Sequence, residues 1–132
     1  MNEPSVFTRI INGEIPCHKV YEDDRVLAFL TINPFADGHT LVIPKKQINQ
    51  IWDLEDDDYL YLWKTAQKIA LHLRTVMAVD RVGVVVKGFE VPHTHIHLIP
   101  VSFRSGVNFD PSPPAPQEDD VKLAAIAQRI RF

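Results

Sequence analysis

The sequence predicts an α+β fold, an antiparallel five-stranded sheet that carries one long helix and a C-terminal helix. Three observations predict it. Apolar residues in the first third fall in short runs divided by polar turns. One long stretch then repeats its apolar positions every three or four residues, and two further apolar runs precede a final helical pattern.

Val20-Tyr21 and the run 26–29 flank the polar tetrad Glu22-Asp23-Asp24-Arg25, which predicts a hairpin. Residues 33–38, from Asn33-Pro34 to Asp37-Gly38, form a turn cluster, and residues 39–43 then read as a strand stopped by Pro44. The long helix is expected over residues 56–78, roughly 34 Å at 1.5 Å per residue, with Asp53 as its cap and acidic residues 55–58 at its positive end. Leu62, Ala66, Ile69, Leu73 and Val76 make its apolar stripe, with Trp63, Ala70 and Met77 beside them. Residues 82–86 and 94–101 read as strands joined by the short segment 87–92. Residues 105–119 hold four prolines and read as a surface-hugging loop, before a helix over 120–130 anchored by Val121, Ala124, Ala125 and Ile126. One domain over residues 1–104 is expected, with 105–132 packed on it as a proline-rich loop and helix.

At 132 residues and 45% hydrophobic, the chain can bury a core without disulfides or a structural metal. A net charge of -3 and a pI of about 6.0 argue against nucleic acid or anionic lipid as partners. The single cysteine, Cys17, fits a reducing compartment and reads as a small apolar filler. No apolar run approaches the roughly 18 residues of a membrane span, and Met1-Asn2-Glu3-Pro4 lacks the features of a signal peptide. A cytoplasmic location is expected.

His93-Thr94-His95-Ile96-His97 is the informative segment. On a strand, residues two apart share a face, which would set the three imidazoles in a row about 7 Å between neighbours, with Thr94, Ile96 and Leu98 turned the other way. Such a row admits three readings: a solvated face, a metal site, or nucleophilic catalysis by imidazole. No nearby cysteine or paired carboxylate completes a metal shell. A neutral imidazole, with a reference pKa of about 6.5, is a good nucleophile at neutral pH, and its neighbours can donate hydrogen bonds to phosphoryl oxygens.

The segment His93-Thr94-His95-Ile96-His97-Leu98-Ile99 resembles the His-x-His-x-His-x-x signature of the histidine triad family of nucleotide hydrolases and transferases. The likeness extends through residues 7–16, which resemble the family's opening strand and turn, through Tyr21-Glu22-Asp23-Asp24 and Ala28-Phe29-Leu30, and through residues 38–45, from Gly38-His39 to Pro44-Lys45. It spans about residues 6–101.

The resemblance implies a role for each matching residue. His95 looks like the nucleophile that carries a nucleotidyl group. The main-chain carbonyl of His93 would fix the tautomer of His95, while His97 and His39 would complete a proton relay. Val6, Phe7, Ile10, Phe29, Leu30 and Ile32 match the base and ribose pocket, although by pattern alone all six read as core. A purine nucleotide substrate, a homodimer through the long helix and an adjoining strand, and no cofactor follow from the same likeness. Family branches with structural zinc carry cysteines where this chain has Ser5-Val6-Phe7-Thr8, so no zinc is expected. Two departures bear on specificity. Thr31 stands where the family has a ribose-binding aspartate, and the glycine-rich loop before the triad is shortened to residues 87–92, with Phe89 at a glutamine position and Lys87 as a substitute phosphate contact. Weak ribose discrimination is expected. His18 and His72 read as surface or interface residues. The function expected is a nucleotide phosphoramidase or nucleotidyl hydrolase; a nucleotide-binding module without turnover is the alternative.

Overall fold

The computed structural model describes residues 3–102 and 115–132. Most of the predicted proline-rich loop therefore lies outside the described residues. The elements are α1 (Val6–Ile11), β1 (Lys19–Glu22), β2 (Val26–Leu30), β3 (Thr40–Pro44), a 3₁₀ turn (Ile51–Asp53), α2 (Asp56–Val76), β4 (Arg81–Val85), β5 (Ile96–Val101) and α3 (Asp120–Ile130). The five strands form one sheet in the order β1-β2-β3-β5-β4, antiparallel at every pairing. The α+β architecture is the one the sequence predicts.

The predicted hairpin is built by Asp23. Its Oδ1 accepts the backbone N–H groups of Arg25 and Val26, both at 2.8 Å, closing the turn with side-chain chemistry. Its Oδ2 accepts the hydroxyls of Tyr21 at 2.8 Å and Tyr61 at 2.5 Å, which ties the hairpin to α2.

Because side chains alternate across a sheet, each central strand serves two layers. On one face Val26, Ala28 and Leu30 of β2, Val42 of β3, and Ile96 and Leu98 of β5 pack against Leu62, Ala66, Ile69 and Leu73 of α2. Leu123, Ala127 and Ile130 of α3 close the same layer. On the other face Leu27 and Phe29 of β2 and Leu41 and Ile43 of β3 meet Phe7 of α1. The register aligns Phe29 with Leu41 and Leu41 with His97, so one row runs across the sheet from the apolar wall to an imidazole.

Several expectations are corrected. Residues 6–11 form a helix, not an opening strand: Ser5 caps it by accepting Thr8 N–H at 3.0 Å, and Gly13, at φ +80°, lets the chain turn out of it. The long helix begins at Asp56 after Glu55 and ends at Val76, while Asp53 closes the 3₁₀ turn instead of capping the helix. Pro44 is the last residue of β3 rather than a stop outside it, paired with Val26. The anchors of α3 are Leu123, Ala127 and Ile130, spaced by four and three; Val121, Ala124 and Ala125 face outward.

The triad strand also starts two residues later than predicted, at Ile96. Pro44 has no N–H to offer the ladder, and its carbonyl is taken by the His93 ring at 2.7 Å. Thr94 turns to the loop after β3, where both its N–H and its hydroxyl donate to the Ile48 carbonyl at 2.7 Å.

Candidate active site

The open face of the sheet carries a cavity of about 430 Å³. Val6, Phe7 and Ile10 of α1 form one wall. Phe29 and Leu30 of β2, followed by Thr31 and Ile32, form another, and His39, His95 and His97 line it as well. Ten of the predicted site residues are thus brought together. Two are not. His93 is fully buried behind the cavity, against the Phe7 ring, and Lys87 lines a separate cavity with Trp52, Phe89 and Thr94, in which His95 also takes part.

The expected row of three equivalent imidazoles therefore becomes two rings that line the cavity and one built into the frame. Because the strand begins only at Ile96, His93 escapes the alternation, and both its nitrogens are engaged: Nε2–H donates to the Pro44 carbonyl, and Nδ1 accepts from the Ser5 hydroxyl at 2.9 Å.

Hydrogen bonds assign the remaining rings without ambiguity. Phe35 N–H donates to His39 Nδ1 at 3.1 Å, so the proton of the neutral ring sits on Nε2 and donates to His97 Nδ1 at 3.0 Å. That leaves the His97 proton on Nε2, a buried donor with no partner among the described residues. His95 Nδ1–H donates to the His93 carbonyl at 2.7 Å, which leaves His95 Nε2 unprotonated. The His95 and His97 rings lie 5.0 Å apart, edge to face, and Phe7 holds the other side of His95 at 5.0 Å.

The same burial keeps every ring neutral. Desolvation, reinforced by the neighbouring His97, pulls His39 down to about 3; desolvation and the nearby His95 pull His97 down to about 4. Desolvation lowers His95 as well, against the opposing hydrogen bond from its own Nδ1–H to the His93 carbonyl. The site thus presents one lone pair and one N–H donor side by side. A buried donor left without an acceptor is costly unless a ligand supplies one. With His39 and His93 occupied at both nitrogens, the imidazoles do not converge as a metal set, and among the described residues no group of three His, Cys, Asp or Glu side chains does.

Sequence reasoning missed parts of the cavity. His18, read as a surface or interface residue, lines it and pairs with Asp120 at the start of α3, at 2.7 Å. The two are 102 positions apart, so no local pattern announces the pair. Phe35, stacked on His39 with ring centroids 5.9 Å apart, and Glu90 also face the cavity. Cys17 contributes to its wall, and burial pushes its thiol pKa up, as suits an inert filler.

Comparison with known proteins places this geometry. The HIT domain matches residues 12–103. The chain belongs to the HIT family. The HIT family is one of nucleotide-binding proteins and includes nucleotide hydrolases. Among relatives, a HIT-like protein of Borreliella burgdorferi is 40% identical over 111 residues, covering 79% of this chain and 80% of the relative. The adenosine 5′-monophosphoramidase of Schizosaccharomyces pombe is 33% identical over 132 residues, covering 96% of this chain and 98% of the relative. The crystal structure of a Hit-like protein from Bartonella henselae superimposes with a TM-score of 0.85 at 32% identity, covering 98% of this chain and 96% of the other. As a HIT protein, the chain has no helix among its described residues long and apolar enough to cross a membrane.

Proposed function

We propose that this HIT protein is a nucleotidyl hydrolase that attacks the α-phosphate of a nucleoside phosphate conjugate through His95. The observation that carries the reading is the pairing of an unprotonated His95 Nε2 with the buried, unpartnered N–H of His97 at the edge of an apolar cavity. A nucleoside fits the cavity, its base against Phe7, Phe29 and Ile10, while the phosphate lies at the imidazoles.

In the first step the His95 Nε2 lone pair forms a bond to phosphorus, and the bond from phosphorus to the leaving nitrogen or oxygen breaks. The ring becomes cationic, and the His93 carbonyl, already accepting from Nδ1–H, stabilises it. His97 Nε2–H donates to a phosphoryl oxygen as charge builds there. The leaving group departs as carboxylate or phosphate, or as an amine that takes its proton from water. Water then adds to phosphorus and gives up a proton to solvent, the P–N bond breaks with its electron pair returning to His95 Nε2, and the nucleoside monophosphate is released. Candidate substrates are nucleoside phosphoramidates, aminoacyl nucleotides and dinucleoside polyphosphates. The similarity to the S. pombe phosphoramidase favours adenosine phosphoramidates among them. The second cavity, with Lys87, Phe89 and Trp52, supports a leaving-group side that combines a cation with aromatic surface.

The test is a single turnover with adenosine 5′-phosphoramidate, quenched without acid. An enzyme of this kind releases adenosine monophosphate and gains the mass of one nucleotidyl group on the peptide containing His95. Intact ligand held without turnover would identify a binding module instead.

We further propose that it acts as a cytoplasmic homodimer. β4 is an edge strand whose Val84 is 52% exposed, and Val86, Leu60 and Leu71 add apolar surface. Light scattering is expected to report twice the 15.1 kDa chain mass; a particle of one chain at micromolar concentration would refute the pairing.

A further inference from the structure

Behind the cavity, the Ser5 and Thr8 hydroxyls face the His93 ring and Gln47 braces them, none of the three with an assigned role. The Ser5 hydroxyl lies 2.9 Å from His93 Nδ1, and Ser5 Oγ accepts Thr8 N–H at 3.0 Å. Thr8 Oγ1–H donates to Gln47 Oε1 at 2.6 Å, and that same oxygen accepts Ser5 N–H at 2.7 Å. Gln47 Nε2 donates to the Glu3 carbonyl at 2.8 Å. The network joins three segments distant in the chain: the start of α1, the loop after β3, and the turn that enters β5.

We infer that Ser5, Thr8 and Gln47 are positioning residues for His95, acting as a hydrogen-bonded clamp on His93; the inference rests on the proposed nucleophilic role of His95. The chain of cause is short. His93 Nε2 faces the Pro44 carbonyl and must carry the ring proton, so Nδ1 is a buried lone pair that needs a donor to hold the ring in place. Ser5 is that donor. Its own oxygen is oriented by Thr8 N–H, and the Thr8 hydroxyl is directed away from Ser5 by Gln47. With the ring pinned at both nitrogens, the His93 backbone is held, and its carbonyl sits 2.7 Å from His95 Nδ1. That bond decides which nitrogen of His95 carries the proton. Loss of the Ser5 hydroxyl frees the His93 ring to turn, lets its carbonyl drift, and allows His95 to exchange between tautomers, one of which has no lone pair facing the phosphate. None of the three residues lies within reach of a ligand through His93, which is 0% exposed, so their effect on the reaction passes through geometry alone.

The experiment reads the ring tautomers directly by long-range ¹⁵N–¹H correlation on histidine-labelled protein, alongside kinetics with adenosine 5′-phosphoramidate. In the wild type, His93 is expected as the Nε2–H form and His95 as the Nδ1–H form. In Ser5→Ala, the His95 nitrogens are expected to shift toward an averaged, mixed-tautomer pattern, with kcat down about tenfold and KM within twofold. Ser5→Thr, which restores a hydroxyl, is expected to recover both readouts. A folded Ser5→Ala protein with an unchanged His95 tautomer overturns the clamp whatever its activity. Should Ser5→Ala fail to fold, Thr8→Val keeps the helix cap and is read by the same two criteria. If the wild type turns over no nucleotide, the proposed function falls, while the tautomer spectra still decide whether the clamp exists.

Discussion

The two faces of the sheet are made from alternate residues of the same strands, yet they end differently. On the closed face, Val26, Ala28, Leu30, Val42, Ile96 and Leu98 lie under α2 and α3. On the open face, Leu27, Phe29, Leu41 and Ile43 are covered by the six-residue α1, and the uncovered remainder is the cavity. The difference shows where this molecule divides its tasks. Complete coverage supplies stability, and incomplete coverage leaves room for a ligand beside imidazoles that burial keeps neutral.

The comparison can be broken most decisively at His95. His95→Ala is expected to abolish hydrolysis while nucleotide affinity stays within about an order of magnitude, because the apolar walls are untouched. Wild-type turnover in that variant would remove the nucleophile from the open face. The closed face is tested by Leu73→Ala, expected to cost about 2–5 kcal/mol in urea unfolding with kcat per folded molecule unchanged. Val6→Ala on the cavity wall is its counterpart: Val6 is 42% exposed, so stability should move by less than about 0.5 kcal/mol while KM rises.

The buried imidazoles predict a pH dependence intermediate in size. Folding holds His39 at about 3 and His97 at about 4, below the 6.5 of an unperturbed ring. Between those values the unfolded chain binds more protons than the folded one, so stability is full above about pH 6.5 and falls as the pH drops. Each histidine kept neutral withdraws about 1.4 kcal/mol per pH unit in that window. Urea midpoints at pH 7.5 and pH 5 should differ accordingly, and equal midpoints would show that the rings titrate freely.

The smallest effect concerns Thr31. Its hydroxyl accepts Asn33 N–H at 3.2 Å, which leaves one O–H and one lone pair on a single oxygen where a carboxylate would offer two acceptor oxygens to the ribose hydroxyls. Thr31→Asp is expected to raise the preference for ribose over 2′-deoxyribose substrates by about 0.5–1.5 kcal/mol. A hundredfold ribose preference in the wild type would contradict the expected weak discrimination.

Much of the closed face was legible beforehand. The spacing of Leu62, Ala66, Ile69 and Leu73 needs only helical periodicity, and β1 to β4 lie at the apolar runs that predicted them. The open face was harder to read. A six-residue helix is too short to show a period, and the cap that starts it, Ser5, entered the reading only as a position where zinc-binding relatives carry cysteine. His93 was placed in a row because period two was carried through it. The bonds that pull it out of the row go to Pro44, 49 positions away, and Ser5, 88 positions away. Local pattern identifies the residues that alternate, and distant partners decide which of them stop alternating.

The two edges of the sheet are also unlike, which bears on how copies could stack. β1 is engaged by the chain's own C-terminal segment, where Phe132 N–H donates to the Val20 carbonyl at 3.0 Å and Arg131 Nε to the Lys19 carbonyl at 3.0 Å. β4 pairs only with β5 among the described residues and offers its other side to solvent. A sheet with two free edges is a link that can be extended indefinitely, whereas one with a single free edge is a terminator. Joined at β4, two chains related by a twofold axis use up both free edges and close upon themselves, so growth stops at the pair and no ribbon forms.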